Sequence, residues 1–183
     1  SDLLDVYGAN GTSNEFNVSN DIDLIMCTFS KTLASLGGFV AGEERVINYL
    51  KHHSPALIFS ASPTPPSVAA AIAALDIVQK EPERVTRLVE NAEFVRSGLK
   101  DAGFHVIDGR TAIVPVLIGG NKEAFGLWKG LFDEGIFVNV FIPPATPPNK
   151  SMMRNSFMAT HEKEHLEKVV DCYTKIGKRL GII

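Results

Sequence analysis

Short apolar runs alternate with segments of helical spacing through nearly the whole chain, and a polypeptide patterned this way must layer helices against a sheet. Asp23-Leu24-Ile25-Met26-Cys27-Thr28 reads as a strand buried on both faces, the form found in parallel α/β sheets. Phe39 to Gly42, set off by Gly37-Gly38, predicts another strand, and Ala56 to Ser60 a third. Glu43 to His53 predicts a helix: Val46, Ile47 and Leu50 share a face, acids open it, and Lys51, His52 and His53 close it as the dipole favours. Gly8 to Asn20 reads as a loop, and Pro65-Pro66 leads into an Ala-rich helix over Ser67 to Gln79.

Pro82 opens a long helix running to Ala102, with Val85, Leu88, Val89, Ala92, Val95 and Leu99 on one stripe and Gly103 as its stop. Strands are expected at Phe104 to Ile107, Ile113 to Ile118, Ile136 to Phe141 and Met152 to Met158. Helices are expected over Lys122 to Glu134 and Glu162 to Leu180. The expectation is an α/β chain of two domains, residues 1–82 and 83–183, the second a small α+β module.

The 183 residues suffice for a sizeable core, and the net charge of -3 comes without a polybasic run, so nucleic acid is not an expected partner. No apolar run reaches the roughly 20 residues that span a bilayer, and no secretory signal opens the chain, which makes a cytoplasmic protein the default expectation. Cys27 and Cys172 lack metal-ligand spacing and read as packed thiols. The opening Ser1-Asp2-Leu3-Leu4-Asp5 holds no initiator Met and no capped element, so the chain is expected to begin mid-domain.

Thr28-Phe29-Ser30-Lys31 has the composition of a Schiff-base site. An amine must be deprotonated to attack an aldehyde, and partial burial at a strand end lowers a lysine pKa by penalising the charged form. Thr28 and Ser30 offer hydroxyl donors to a phosphate, and Gly37-Gly38 allow close backbone approach. An isolated Ser-Lys pair reads first as a surface lysine in a strand-to-loop turn.

The order of several longer runs narrows this. "DLIMCTFSKTLASLGGFVAG", "IFSASPTPPSVAAA", "AIVPVLIG", "FVNVFIPPATPPNKSMMRNS" and "YTKIGKRLGII" together resemble the C-terminal half of the α-oxoamine synthases, fold-type I enzymes dependent on pyridoxal 5'-phosphate (PLP). Within that family "TFSK" and "PPATP" resemble most the bacterial serine palmitoyltransferases; 2-amino-3-ketobutyrate CoA ligase and 8-amino-7-oxononanoate synthase are the alternatives. The resemblance implies a decarboxylative condensation of an amino acid with an acyl-CoA by a homodimer. It implies that Lys31 carries PLP and that Thr28 and Ser30 contact its phosphate. It also implies that Ser60 reaches the phosphate held by the other subunit and that Arg154 holds the substrate carboxylate. Read without the family, Arg154 is an ordinary surface arginine and Ser60 a loop hydroxyl satisfied by backbone. Residues 1–82 would end the PLP-binding large domain, and 83–183 would form the small C-terminal domain.

The family's pyridine-nitrogen aspartate, its ring-stacking histidine and its main phosphate loop would lie upstream, so the segment alone is expected to be a poor catalyst. Asp2-Leu3-Leu4-Asp5-Val6 stands where members usually carry Asp-x-Ala-His, and neither Asp2 nor Asp5 is assigned the pyridinium role. Ile142 stands where some serine palmitoyltransferases have a second arginine, which leaves the amino-acid specificity open. Ile136 to Phe141 and Ile142-Pro143-Pro144-Ala145 can equally shape a substrate pocket or form strand core and a rigid loop. A reading from a different class is a folding and dimerisation lobe without independent activity.

His161-Glu162-Lys163-Glu164-His165 matches the H-E-x-x-H zinc pattern, but Glu167 and Asp171 share its helix and no separate element supplies a third ligand, so no metal is expected. His52 and His53 read as solvated residues at a helix end, and Trp128, Phe125 and Phe132 as a buried helix stripe.

Overall fold

The computed structural model describes residues 11–183. The chain divides into two compact units, Ser1–Val85 and Thr86–Ile183.

In the first unit, helix α1 (Gly11–Glu15) and a 3-10 turn (Ser19–Asp21) lead into strand β1 (Leu24–Thr28), followed by β2 (Gly38–Gly42), α2 (Glu44–His53), α3 (Pro55–Ile58) and α4 (Pro65–Lys80). The start of the loop expected from Gly8 and the acids Asp2 and Asp5 lie outside the described residues. α1 corrects the loop expected over this stretch, whose Gly and Asn content masked a single helical turn. β1 is not the doubly buried parallel strand expected: it pairs antiparallel with β2 from Leu24↔Gly42 to Thr28↔Gly38, and within it Cys27 alone is buried. An apolar run reports that a strand forms, whereas its direction and cover depend on the partners it meets. Gly38 fits that pairing because a Cβ there would stand 2.3 Å from the Cys27 carbonyl oxygen.

The strand expected at Ala56 to Ser60 is instead α3 with a trailing turn. Pro55 occupies the first helical turn, where its fixed φ suits a helix, and the Ser54 carbonyl accepts from the Leu57 and Ile58 amides at 3.1 and 3.0 Å. A run this short carries no period that separates the two states.

α5 (Glu83–Asp101) leads into the second unit, which adds β3 (His105–Val106), β4 (Ile113–Gly119), α6 (Asn121–Asp133), β5 (Asn139–Phe141), β6 (Ser151–Ser156) and α7 (Lys163–Leu180). The sheet order is β3-β4-β6-β5, every neighbouring pair antiparallel. Alternation along the strands sends Val114, Val116, Met153 and Asn155 inward, where Ala92, Val95 and Leu99 of α5, Leu127 and Leu131 of α6, and Leu166, Tyr173 and Ile176 of α7 meet them. Asn155 ties three elements: its Nδ2 donates to the Val114 carbonyl at 3.0 Å and its Oδ1 accepts from the Tyr173 hydroxyl at 2.7 Å. Phe104 meets Tyr173 edge-to-face at 5.5 Å.

The aromatic stripe on α6 is corrected. Phe125 and Phe132 are exposed and Trp128 is partly buried, because the core stripe is Ala124, Leu127 and Leu131, one residue and so about 100° away around the helix. Cys27 and Cys172 are buried thiols outside any disulfide, as expected. Among the described residues no helix is long and apolar enough to cross a membrane.

Candidate functional site

Lys31 lies in the connection between β1 and β2, and that connection is closed by its own backbone. The Phe29 amide donates to the Gly37 carbonyl, the Ser35 amide to the Phe29 carbonyl, and the Ala34 amide to the Lys31 carbonyl, each at 2.9 Å. Buried Leu33 anchors the loop, and the Ser35 hydroxyl donates to the Ser67 carbonyl of α4 at 2.6 Å. The lysine therefore sits on a fixed loop at a strand end. Its partial burial, expected from the sequence, is not supplied by the described residues: Lys31 is exposed.

Half-buried Thr28 ends β1, and the Ser30 hydroxyl donates to Thr28 Oγ1 at 3.5 Å, so both hydroxyls share one strand end with Lys31. Thr28 also lines a cleft with Phe39, Ile47, Leu50 and Leu57. Exposed Ser60 follows α3 and donates to the Ala56 carbonyl, its hydroxyl engaged by its own helix. His52 and His53 bond through Nδ1 to the carbonyls of Asn48 and Tyr49 at 2.7 and 3.0 Å, and both are exposed at the end of α2.

Arg154 belongs to the second unit. It is exposed on β6, registered between Pro115 of β4 and Asn139 of β5. Its neighbours on that outer face are Ile113, Pro115, Leu117, Met152, Ser156, Asn139 and Phe141, none of them charged. Among the described residues Arg154 forms no ion pair, and its guanidinium carbon lies 5.8 Å from the centre of the Phe141 ring. The sequence named Phe141 only within a run that could wall a pocket or form strand core; that it meets Arg154 follows from the strand register.

The segment that leads into β5 divides between core and surface: Val138 is buried and Phe137 exposed. The Ala145 and Thr146 amides donate to the Ile142 carbonyl at 2.9 and 3.3 Å, which with Pro143 and Pro144 makes a stiff turn.

The H-E-x-x-H residues cap α7. Met158 and Glu162 amides donate to Nδ1 of His161 and His165 at 3.3 and 3.0 Å, and Glu162 completes a capping box. An imidazole that accepts at Nδ1 carries its proton on Nε2, the reverse of a metal ligand, which binds through one nitrogen and donates through the other. Among the described residues no group of His, Cys, Asp and Glu has metal-binding geometry. Burial, and then the neighbouring His165, holds the His161 pKa below its ordinary 6.5. A depressed histidine pKa means that the folded form binds fewer protons, so this contribution to stability is full above pH 6.5 and is lost as pH falls through the folded value. Protonation at Nδ1 also removes the acceptor of the Met158 amide. His161→Gln is expected to flatten the acid limb of a stability-versus-pH curve below about pH 6.5, and an unchanged limb would refute the assignment.

The family model for aminotransferase class I and II matches residues 5–172. The chain belongs to the aminotransferase class I and II family. Among its relatives in that family, the serine palmitoyltransferase of Bacteroides thetaiotaomicron is 40% identical over 182 residues, which is 98% of this chain and 46% of the relative. An 8-amino-7-oxononanoate synthase from Lysinibacillus sphaericus is 37% identical over 173 residues, covering 94% of this chain and 44% of that protein. The solved structure of the S. paucimobilis serine palmitoyltransferase with a bound PLP-myriocin aldimine superposes with a TM-score of 0.92 at 29% identity, over all of this chain and 47% of that one. The chain thus spans about half the length of the aminotransferase class I and II relatives it matches.

Proposed function

We propose that this chain forms the C-terminal half of a PLP-dependent enzyme that condenses L-serine with palmitoyl-CoA, releasing CoA and carbon dioxide and yielding 3-ketodihydrosphingosine. The observation that carries this reading is the agreement with serine palmitoyltransferases over 98% of the chain, which includes the pinned loop that presents Lys31. In this reading the first unit ends the large PLP-binding domain and the second is the small C-terminal domain of a cytoplasmic homodimer.

The residues present fit the cofactor. An exposed primary amine on a fixed loop suits a Schiff base, and the hydroxyls of Thr28 and Ser30 beside it suit a phosphate. When bound, PLP supplies an electron sink for the charge left on the amino acid's α-carbon. Lys31 Nζ would hold the cofactor and, as a free amine, would accept the α-proton. Thr28 and Ser30 donate to the phosphate and fix its position. Ser60 exchanges its bond to the Ala56 carbonyl for the phosphate held by the partner subunit. Arg154 donates two parallel hydrogen bonds to the substrate carboxylate, on a sheet face where its described strand neighbours include no acid.

Assay of the full-length protein with serine, glycine and alanine against a panel of acyl-CoAs tests the reading. Serine with palmitoyl-CoA is expected to give the highest kcat/KM, and Arg154→Ala is expected to raise the amino-acid KM about 10- to 100-fold. Preference for alanine would favour 8-amino-7-oxononanoate synthesis, and no CoA release with any pair would sink the proposal. For the chain on its own, a second reading is a folding and dimerisation lobe without independent activity. It is favoured by the large apolar side chains that the first unit leaves open, among them Leu36 at 75% and Phe59 at 87% exposure.

A further inference from the structure

We infer that Phe141 is the positioning residue for Arg154, and so a determinant of amino-acid affinity that acts through the arginine. The inference rests on the proposal that Arg154 holds the substrate carboxylate.

The antiparallel register of β5 and β6 pairs Asn139 with Arg154 and Phe141 with Met152. Phe141 and Arg154 are therefore diagonal neighbours on one face, a separation that long and aromatic side chains bridge. The guanidinium carbon lies 5.8 Å from the ring centre, inside the roughly 6 Å over which a ring quadrupole attracts a cation. The ring is itself held. Phe141 is half-buried and immediately precedes Ile142, whose carbonyl accepts from two amides of the proline-bound turn. Its backbone is thus restrained on one side by the β5–β6 ladder and on the other by that turn.

An arginine on an open sheet face has many rotamers, and a carboxylate that binds it must bear the cost of ordering them. A contact made by the ring face confines the side chain beforehand, yet leaves N–H donors for the ligand. Among the described residues that pair along β4, β5 and β6, no acid stands on this face to hold the guanidinium elsewhere. Phe141→Leu keeps an apolar side chain in β5 but removes the quadrupole, so the arginine regains its freedom.

The test uses the full-length holoenzyme. Steady-state KM and kcat for serine are measured at saturating palmitoyl-CoA, together with the serine dissociation constant by calorimetry without acyl-CoA. Phe141→Leu is expected to weaken serine binding and raise its KM about two- to fivefold, with kcat and the acyl-CoA KM unchanged, while Phe141→Tyr and Phe141→Trp retain wild-type values. In an Arg154→Ala background Phe141→Leu is expected to add nothing. If Arg154→Ala raises the serine KM and Phe141→Leu does not, Phe141 is not a positioning residue although the carboxylate assignment stands. If Arg154→Ala leaves serine binding unchanged, the carboxylate assignment fails and takes this inference with it. An equal loss in the Leu, Tyr and Trp variants would mark a packing role and overturn it as well.

Discussion

Lys31→Ala in the full-length protein is expected to lower turnover by about 10²- to 10⁴-fold or more, the range over which a positioned base contributes, and to abolish covalent retention of PLP. Borohydride reduction followed by peptide mapping should place a pyridoxyl group on the peptide containing Ser30-Lys31 in the wild type and on none in the variant. Lys31→Arg should be no better, since a guanidinium stays protonated and can neither form the imine nor accept the α-proton. The loss should not come from unfolding: Lys31 is exposed, and its loop is closed by backbone bonds that the substitution leaves in place. Substitutions of this kind shift stability by no more than about 0.5 kcal/mol. Wild-type holoenzyme reduced in the absence of amino acid with Lys31 unmodified would remove the enzyme assignment.

The largest structural effect is expected at Tyr173. Its ring is fully buried against Phe104, and its hydroxyl reaches Asn155 Oδ1 at 2.7 Å, while burial holds the phenol pKa far above its ordinary 10.0. Tyr173→Ala removes a buried aromatic ring and is expected to cost about 3–5 kcal/mol. Tyr173→Phe keeps the ring but leaves Asn155 Oδ1 unpaired, for about 1–3 kcal/mol. Trp128, the single tryptophan, lies on α6 of the same unit, so its fluorescence in urea reports this unit's unfolding. A Tyr173→Phe variant as stable as the wild type would show that the Asn155 bond contributes nothing net.

Much of the candidate site was legible because its parts are close in sequence. Thr28, Ser30 and Lys31 fall within one strand end, so local spacing brought both hydroxyls and the amine together, and the glycines at 37 and 38 marked the return of the chain. Arg154 became a candidate only through a longer resemblance, since a lone arginine on a strand is indistinguishable from a surface residue. Phe141 was read only as part of an apolar run that could line a pocket or form strand core. Its relation to Arg154 exists only once β5 and β6 are in register, and nothing local specifies that register.

The fold shows the same division. Helices α2, α4, α5, α6 and α7 were visible from periodicity, because each has an apolar face long enough to repeat. α3 was read as a strand, since four residues give no period and its helical state is set by Pro55 and the Ser54 carbonyl. Phe125 and Phe132 were read as core because their spacing is helical, but so is that of Ala124, Leu127 and Leu131, and packing against the sheet chose the latter.

By itself, then, the sequence determined the long helices and the strands of the second unit, and it offered candidates for the chemistry, because both follow from side-chain type and near-neighbour spacing. The tertiary structure decided that β1 runs antiparallel to β2, that Lys31 stands exposed on a self-closed loop, and that Arg154 lies over Phe141 on an uncharged sheet face. Those outcomes depend on pairings between residues distant along the chain, and a pairing energy belongs to both partners and cannot be read from either.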